Sequence, residues 1–482
     1  MNAPLSELTA PGPAGHSATI EGRIAGQPAL ALTAFDLGDV GYRADEYFLS
    51  GLATSYRAVG AQGRDGRWSA RPHKTAEYTT RIVVVRPNRP AAFNGTVVVE
   101  WLNVSAGADT APEWGYTHRE LIRGGYAWVG VSAQKAGIDG GGLMAFPGME
   151  PLKKADPERY ASLRHPGDPF GYDIFTQAAR ALRAKPGRLL GVPAVTTLIA
   201  AGESQSAGRL TTYINAIAPI EQAFDGYLVH SRFGGAPALG KSSMVGALLG
   251  ALRPVHIRTD TTAPVLNFIT ETDLMMKRFG YLPARQPDHD RLRTWEVAGT
   301  AHADTYVMGA SPIDSGAASA EAMAKALAPT RDLLGLTLPG EINAAPQHHY
   351  VMMAALSALN RWIAAGAPPP CGPRLTVADA KPAKLALDSV GNAAGGVRSP
   401  WMDVPTCKLS GLAPAGDRMA ALFGSTAALE SGALARLYPG GREDYLAKFK
   451  AALASAIDVG FILPADRDEI QALAAASYPA MG

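Results

Sequence analysis

The sequence predicts an α/β protein built on a mostly parallel, doubly wound sheet, with lid loops and a C-terminal helical extension. Three observations lead there. Short apolar runs of strand length recur along the chain. Stretches with helical spacing separate them. Most of the runs are continuously apolar, as strands covered on both faces are, instead of alternating.

The clearest strand runs are Thr79–Val85, Thr96–Leu102, Ala127–Ser132, Thr196–Ala201, Gly226–Val229, Val265–Ile269 and Thr294–Ala298. Helices are expected at about Thr117–Arg123, Asp173–Ala184, from Ser206 onward, and over Tyr350–Ala365 before Gly366 and Pro368. Residues 18–95 otherwise read as mixed and turn-rich, 371–410 as loop and hairpin, and 415 onward as Ala-rich helix. The expected organisation is a flexible tail over 1–17, a main domain over 18–370 and an extension over 371–482 packed on the core.

Bulk properties set limits. The chain has 482 residues, 47% hydrophobic and 18% charged, which suits a globular chain with a sizeable core and excludes coiled coil or wholesale disorder. Net charge is only +2, so nothing in the total points to nucleic acid as a partner. No apolar run reaches the roughly 18 residues of a membrane span. The N-terminus has no basic segment followed by an apolar one, so a cytoplasmic location is expected. Cys371 and Cys407 lack metal-ligand spacing and are expected to be free thiols. No motif implies a metal or a nucleotide, so no cofactor is expected.

Chemistry concentrates in Gly202-Glu203-Ser204-Gln205-Ser206. A buried strand runs into Gly-x-Ser-x-small and then into a helix, the setting of a nucleophile elbow. Such a turn strains the backbone, needs small residues two positions either side of the serine, and lifts its hydroxyl above the sheet. The Gln205 N–H would then face a developing oxyanion. Taken alone, the same residues could be a serine-rich helix cap. Two further loops match the order serine, acid, histidine. Val265–Ile269 leads into Thr270-Glu271-Thr272-Asp273, and the last strand leads into Gly299-Thr300-Ala301-His302. His302 is the expected base, and Glu271 or Asp273 the acid. Val97–Leu102 leads into Asn103 and Val104, either of which is placed to give the second oxyanion N–H. Trp101, Trp114, Tyr172 and Met275, with Phe279 and Tyr281, lie near these loops and are candidates to line an apolar pocket. Asp139–Gly142 and Pro166–Pro169 are candidate lid loops. The His348-His349 pair could set an imidazole over the pocket.

Val99–Ser105, Gly202–Ser206, Thr270–Asp273, Ala284–Asp288 and Trp295–Asp304 together resemble the bacterial "alpha/beta hydrolase domain" proteins, over about residues 20–410. The resemblance implies an α/β-hydrolase fold and an esterase-like serine hydrolase acting on a small-molecule ester. It makes Ser206 an ordinary member of the elbow and favours Glu271 as the acid, whereas generic register favours Asp273. Acyl transfer by the same residues and a non-catalytic binding protein are the alternatives. The natural substrate and the oligomeric state are not legible.

Overall fold

The computed structural model describes residues 16–142, 148–240, 252–333, 335–380, 383–413 and 420–479. Most of the expected tail, residues 1–15, lies outside the described residues.

In chain order the elements that frame the site are β1 (Thr19–Ile24), β2 (Tyr42–Val59), β3 (Ser69–Pro87), β4 (Thr96–Trp101), α1 (Pro112–Arg123), β5 (Ala127–Val131), α2 (Gly171–Ala184), β6 (Thr197–Glu203), α3 (Gln205–Thr212), β7 (Gly226–His230), β8 (Val265–Thr270), α4 (Glu271–Met275), β9 (Leu292–Val297) and α5 (Gln347–Ala365). Among the described residues the main sheet has nine strands in the order β1-β2-β3-β5-β4-β6-β7-β8-β9. The six from β5 to β9 are parallel; β1, β2 and β3 add an antiparallel wing. That wing is longer than the sequence implies. Residues 69–78 are polar and largely exposed, so they read as turn-rich, yet backbone pairing with β2 carries them as strand.

The apolar runs form strands because both faces are covered. Val98 of β4 packs into one hydrophobic cluster with Leu121, Ile199 and Leu228; its neighbours Val97 and Val99 pack into another with Phe175, Leu198 and Leu210. Helices therefore lie on both sides of the sheet. The chain winds from β4 to β5 on one side and crosses to β6 on the other. The crevice at the carboxyl ends of β4 and β6 is thus a topological switch point, where open α/β sheets hold their ligands.

The segment after residue 370 joins the first of these clusters. α6 (Gly441–Val459) and α7 (Arg467–Ser477) contribute Phe449, Leu453, Ile470 and Leu473. Arg119 on α1 pairs with Glu469 at 2.8 Å, and Arg123 pairs with Asp466 at 2.5 Å. Cys371 and Cys407 are not bonded to each other.

Glu100 is the one charged residue in the apolar run of β4, and it is fully buried. Its two oxygens accept from the Glu113 and Trp114 N–H groups, each at 3.0 Å, and from Trp128 Nε1 at 2.9 Å. The carboxylate thus satisfies the orphan donors at the start of α1, where the helix dipole favours negative charge. Removing it leaves three buried donors without an acceptor, each worth about 1–3 kcal/mol. Glu100→Ala should therefore destabilise the protein by at least about 3 kcal/mol. Urea unfolding should show a lower midpoint at an unchanged slope.

Candidate active site

At the end of β6 the backbone turns through Ser204 at φ 57°, ψ −117°, and α3 begins at the next residue. A side-chain-bearing residue held at positive φ stores about 1–3 kcal/mol of strain. The surroundings hold it there. The Ser204 N–H donates to the His230 carbonyl at 3.0 Å. A Cβ on Gly202 would lie 3.2 Å from the Ser206 backbone, so the two flanking positions must be small. Ser206 does more than fit, since its hydroxyl donates to the Leu102 carbonyl at 3.2 Å and ties the elbow to the end of β4.

His302 sits in the loop after β9. Its Nδ1 is 2.6 Å from Asp273 Oδ1. The other oxygen of Asp273 accepts from the Thr270 hydroxyl at 2.6 Å and the Thr270 N–H at 3.1 Å, in a capping box that starts α4. Burial works against the Asp273 carboxylate, but His302, Thr270 and Ser231 outweigh it and hold its pKa below the usual range. Phe233 stacks on the imidazole with its ring centre 6.0 Å away.

Glu271, favoured as the acid, does not meet His302. Its carboxylate accepts the Gly299 N–H at 2.5 Å and the Gly411 N–H at 2.8 Å. Burial pushes its pKa up to about 7, against those two donors. The reason is helical geometry. Glu271 and Asp273 are the first and third residues of a short helix, so their side chains leave in different directions. Glu271 faces the loop after β9 and the C-terminal extension, and Asp273 faces the histidine.

The oxyanion candidates also separate. Gln205 heads α3, and an N–H in that position has no intrahelical acceptor. The Asn103 N–H is bonded to the Thr110 carbonyl at 3.0 Å, which removes it as a donor. The Asn103 side chain instead donates to Glu203 Oε2 at 3.0 Å. Among the described residues no hydrogen bond occupies the Val104 N–H. Val104 lies between Asn103 and Ser105, which both face the cavity.

That cavity is about 520 Å³, within the usual range for small-molecule sites. Ser204, Gln205, Glu203, Asn103 and His302 supply its polar groups, and Leu32, Trp114, Phe233, Met276, Phe279 and Phe423 much of its apolar wall. Of the six pocket candidates Trp114 and Phe279 line it, and Tyr281 is buried in the core. Trp101 and Tyr172 pack on each other, 5.5 Å between rings, within the cluster on the other face of the sheet. Met275 points into the core, and its neighbour Met276 takes the expected place. The Pro166–Pro169 loop is not a lid. Its buried Asp168 pairs with Arg209 of α3 at 2.7 Å. Gly142 packs against Gly107, and Met149 reaches the cavity wall; residues 143–147 of that segment lie outside the described residues. His348 is buried beneath the site, 2.8 Å from His230, and His349 Nδ1–H donates to the Tyr116 carbonyl at 2.7 Å, so neither overhangs the cavity.

A larger open depression of about 640 Å³ lies beside His289, Arg291, Arg293 and Trp362. It sits at the start of β9, the opposite end of the strand from His302, and no serine or cysteine is among its described lining residues.

The residue that sequence reasoning passed over is Glu203. Its Oε1 lies 3.1 Å from His302 Nε2, so the imidazole stands between two carboxylates. Burial pushes the Glu203 pKa up to about 8, with His302 pulling against it. Burial disfavours a charged His302, but Glu203 and Asp273 prevail and raise its pKa to about 9. A carboxylate closing the apolar run of β6 was the available signal. Among the described residues no group of three or more His, Cys, Asp or Glu could hold a metal, and no helix is long and apolar enough to cross a membrane.

Among solved structures, an esterase from Rhizomucor miehei is 13% identical, with 46% of this chain and 66% of that chain covered and a TM-score of 0.24. An α/β serine hydrolase without a lid from Xanthomonas campestris is 15% identical, covering 50% and 83%, with a TM-score of 0.25. A carboxylesterase from Lactobacillus plantarum is 10% identical, covering 48% and 78%, with a TM-score of 0.27. The chain thus spans just under two thirds of the Rhizomucor esterase, and at these scores none of the three bears on the reaction. No curated protein matches the chain. A family model described as "Alpha/beta hydrolase domain" matches residues 9–472, nearly the whole length. The chain belongs to the alpha/beta hydrolase domain family.

Proposed function

We propose that the protein is a serine hydrolase that cleaves a carboxylic ester of a small molecule. The observation that carries this reading is the convergence, in one cavity, of a serine held at positive φ on a strand-to-helix turn and a histidine bonded at 2.6 Å to a buried aspartate.

In this reading Ser204 Oγ attacks the ester carbonyl while His302 Nε2 takes its proton. Asp273 fixes the imidazole with Nδ1 as donor and stabilises the charge that forms. The N–H groups of Gln205 and Val104 bind the oxyanion, each worth about 2.7–4 kcal/mol in the transition state. His302 then returns the proton to the leaving alcohol, and water attacks the acyl-Ser204 ester by the same route in reverse. The apolar wall of the cavity favours an ester with a hydrophobic acyl or alcohol part. Glu271 is left out of the chemistry: it ties the His302 loop to Gly411.

Three variants separate these roles in an assay with short- and medium-chain aryl esters. Ser204→Ala should leave only weak residual turnover. Asp273→Asn should lower kcat by about 10⁴-fold, because the imidazole loses its orienting acceptor. Glu271→Gln should cost far less in kcat and show mainly as lowered thermal stability. A Glu271→Gln loss as deep as that of Asp273→Asn, with the fold intact, would reverse the assignment of the acid.

A further inference from the structure

We propose that Glu203 is a positioning residue that holds a proton on His302 in the resting enzyme, so that losing this proton to solvent is what makes the histidine a base. The proposal rests on the reading of Ser204, His302 and Asp273 as a triad.

The geometry is specific. Asp273 Oδ1 approaches Nδ1 at 2.6 Å and Glu203 Oε1 approaches Nε2 at 3.1 Å, from opposite ends of one ring. Glu203 is not a loose neighbour. The Asn103 amide grips it twice, at Oε2 (3.0 Å) and at its own carbonyl (3.2 Å), and Asn103 is fixed by its backbone pairing with Thr110. Both carboxylates are nearly or fully buried, so water screens them little. Nε2 is the nitrogen that must accept the Ser204 proton, and the contact recorded there is to Glu203; among the described residues no hydrogen bond joins it to Ser204.

Two anions around one imidazole retain one additional proton. It resides on His302 as imidazolium, or on Glu203 as the acid beside a neutral ring. In both cases the proton occupies the gap between Nε2 and Oε1. Transfer of that proton to water or hydroxide leaves neutral His302, with Nδ1–H still on Asp273 and a free lone pair at Nε2. No other bond changes. Among the described residues, the other groups facing this set do not supply a competing cation. His230, below Ser204, is driven down to about 3 by burial and stays neutral. Glu113 and Tyr116 on α1 are acids, which carry no positive charge in either state, and burial raises the pKa of both. Phe233 covers the ring face, Ser231 brings only an uncharged hydroxyl toward Asp273, and Asp304 pairs with His348 at 3.2 Å.

The sign follows directly. Removing the Glu203 charge stabilises neutral His302 relative to imidazolium, so the acid limb of activity moves to lower pH. An opposite charge within 4–6 Å shifts such a group by about 1–3 units.

The test is the pH profile of kcat/KM for wild type and Glu203→Gln, alongside a titration of His302 by ¹⁵N-histidine NMR in both proteins. Wild type should reach half-maximal kcat/KM above pH 8, and Glu203→Gln should do so about 1–3 units lower. The His302 resonance should follow the same two midpoints. Should Glu203→Gln fail to fold, the wild-type titration still decides, since a His302 midpoint near 6.5 overturns the proposal. So does an unmoved limb in a folded Glu203→Gln. A fluorophosphonate adduct on Ser204 with an unmoved limb would remove only the role of Glu203. An adduct elsewhere would remove the triad itself.

Discussion

The positive φ of Ser204 is the constraint on which the rest of the site depends. A serine resists that conformation, so it persists only where the neighbours over-determine it. Here β6 ends against β7 through the Ser204 N–H, α3 starts at once, and Ser206 is tied to the end of β4. The result sets the Ser204 hydroxyl at the crevice where the winding of the sheet reverses. Everything else in the site arrives from the carboxyl ends of strands: Asn103 and Val104 after β4, Asp273 after β8, His302 after β9. A register slip in any of them would misplace a group by about a residue's rise of 3.3 Å, more than a hydrogen bond tolerates.

Four buried carboxylates show how one residue type is given different work by its partners. Glu100 holds three N–H donors and starts a helix. Glu271 holds two N–H donors and joins the histidine loop to the C-terminal extension, so residues after 370 help to fix the site although they supply no group to the chemistry proposed here. Asp273 spends one oxygen on the Thr270 cap and keeps the other for His302. Glu203 is held by Asn103 and faces the far side of the same ring. Burial raises the proton affinity of all four, and only the one with the strongest pairing to His302 is carried below the ordinary range.

Much of this was legible in the chain. The parallel strands announce themselves as apolar runs because both faces are covered, and the elbow is marked by its strand-to-helix setting. The order of Ser204, the acid turn and His302 pointed to three loops that lie close together: Ser204 and His302 line one cavity, and Asp273 bonds His302 from behind. What failed did so for physical reasons. Sequence spacing does not tell which way side chains leave a five-residue helix, so Glu271 and Asp273 were not separable. The faces of β4 and α2 are set by sheet twist and helix phase, so Trp101 and Tyr172 were assigned to the cavity when they pack on the opposite layer. The donor capacity of Asn103 is consumed by a bridge to Thr110, a tertiary fact with no local signature. Glu203 was visible, but its direct contact at 3.1 Å with a histidine about a hundred residues away is a property of the fold.

The central claim is that Ser204 is an activated nucleophile served by His302. Labelling the purified protein with a fluorophosphonate and mapping the modified peptide tests it most directly. The account predicts a single adduct on Ser204 that disappears in His302→Ala. An adduct on Ser206 or another residue, or undiminished labelling of Ser204 in His302→Ala, would contradict it.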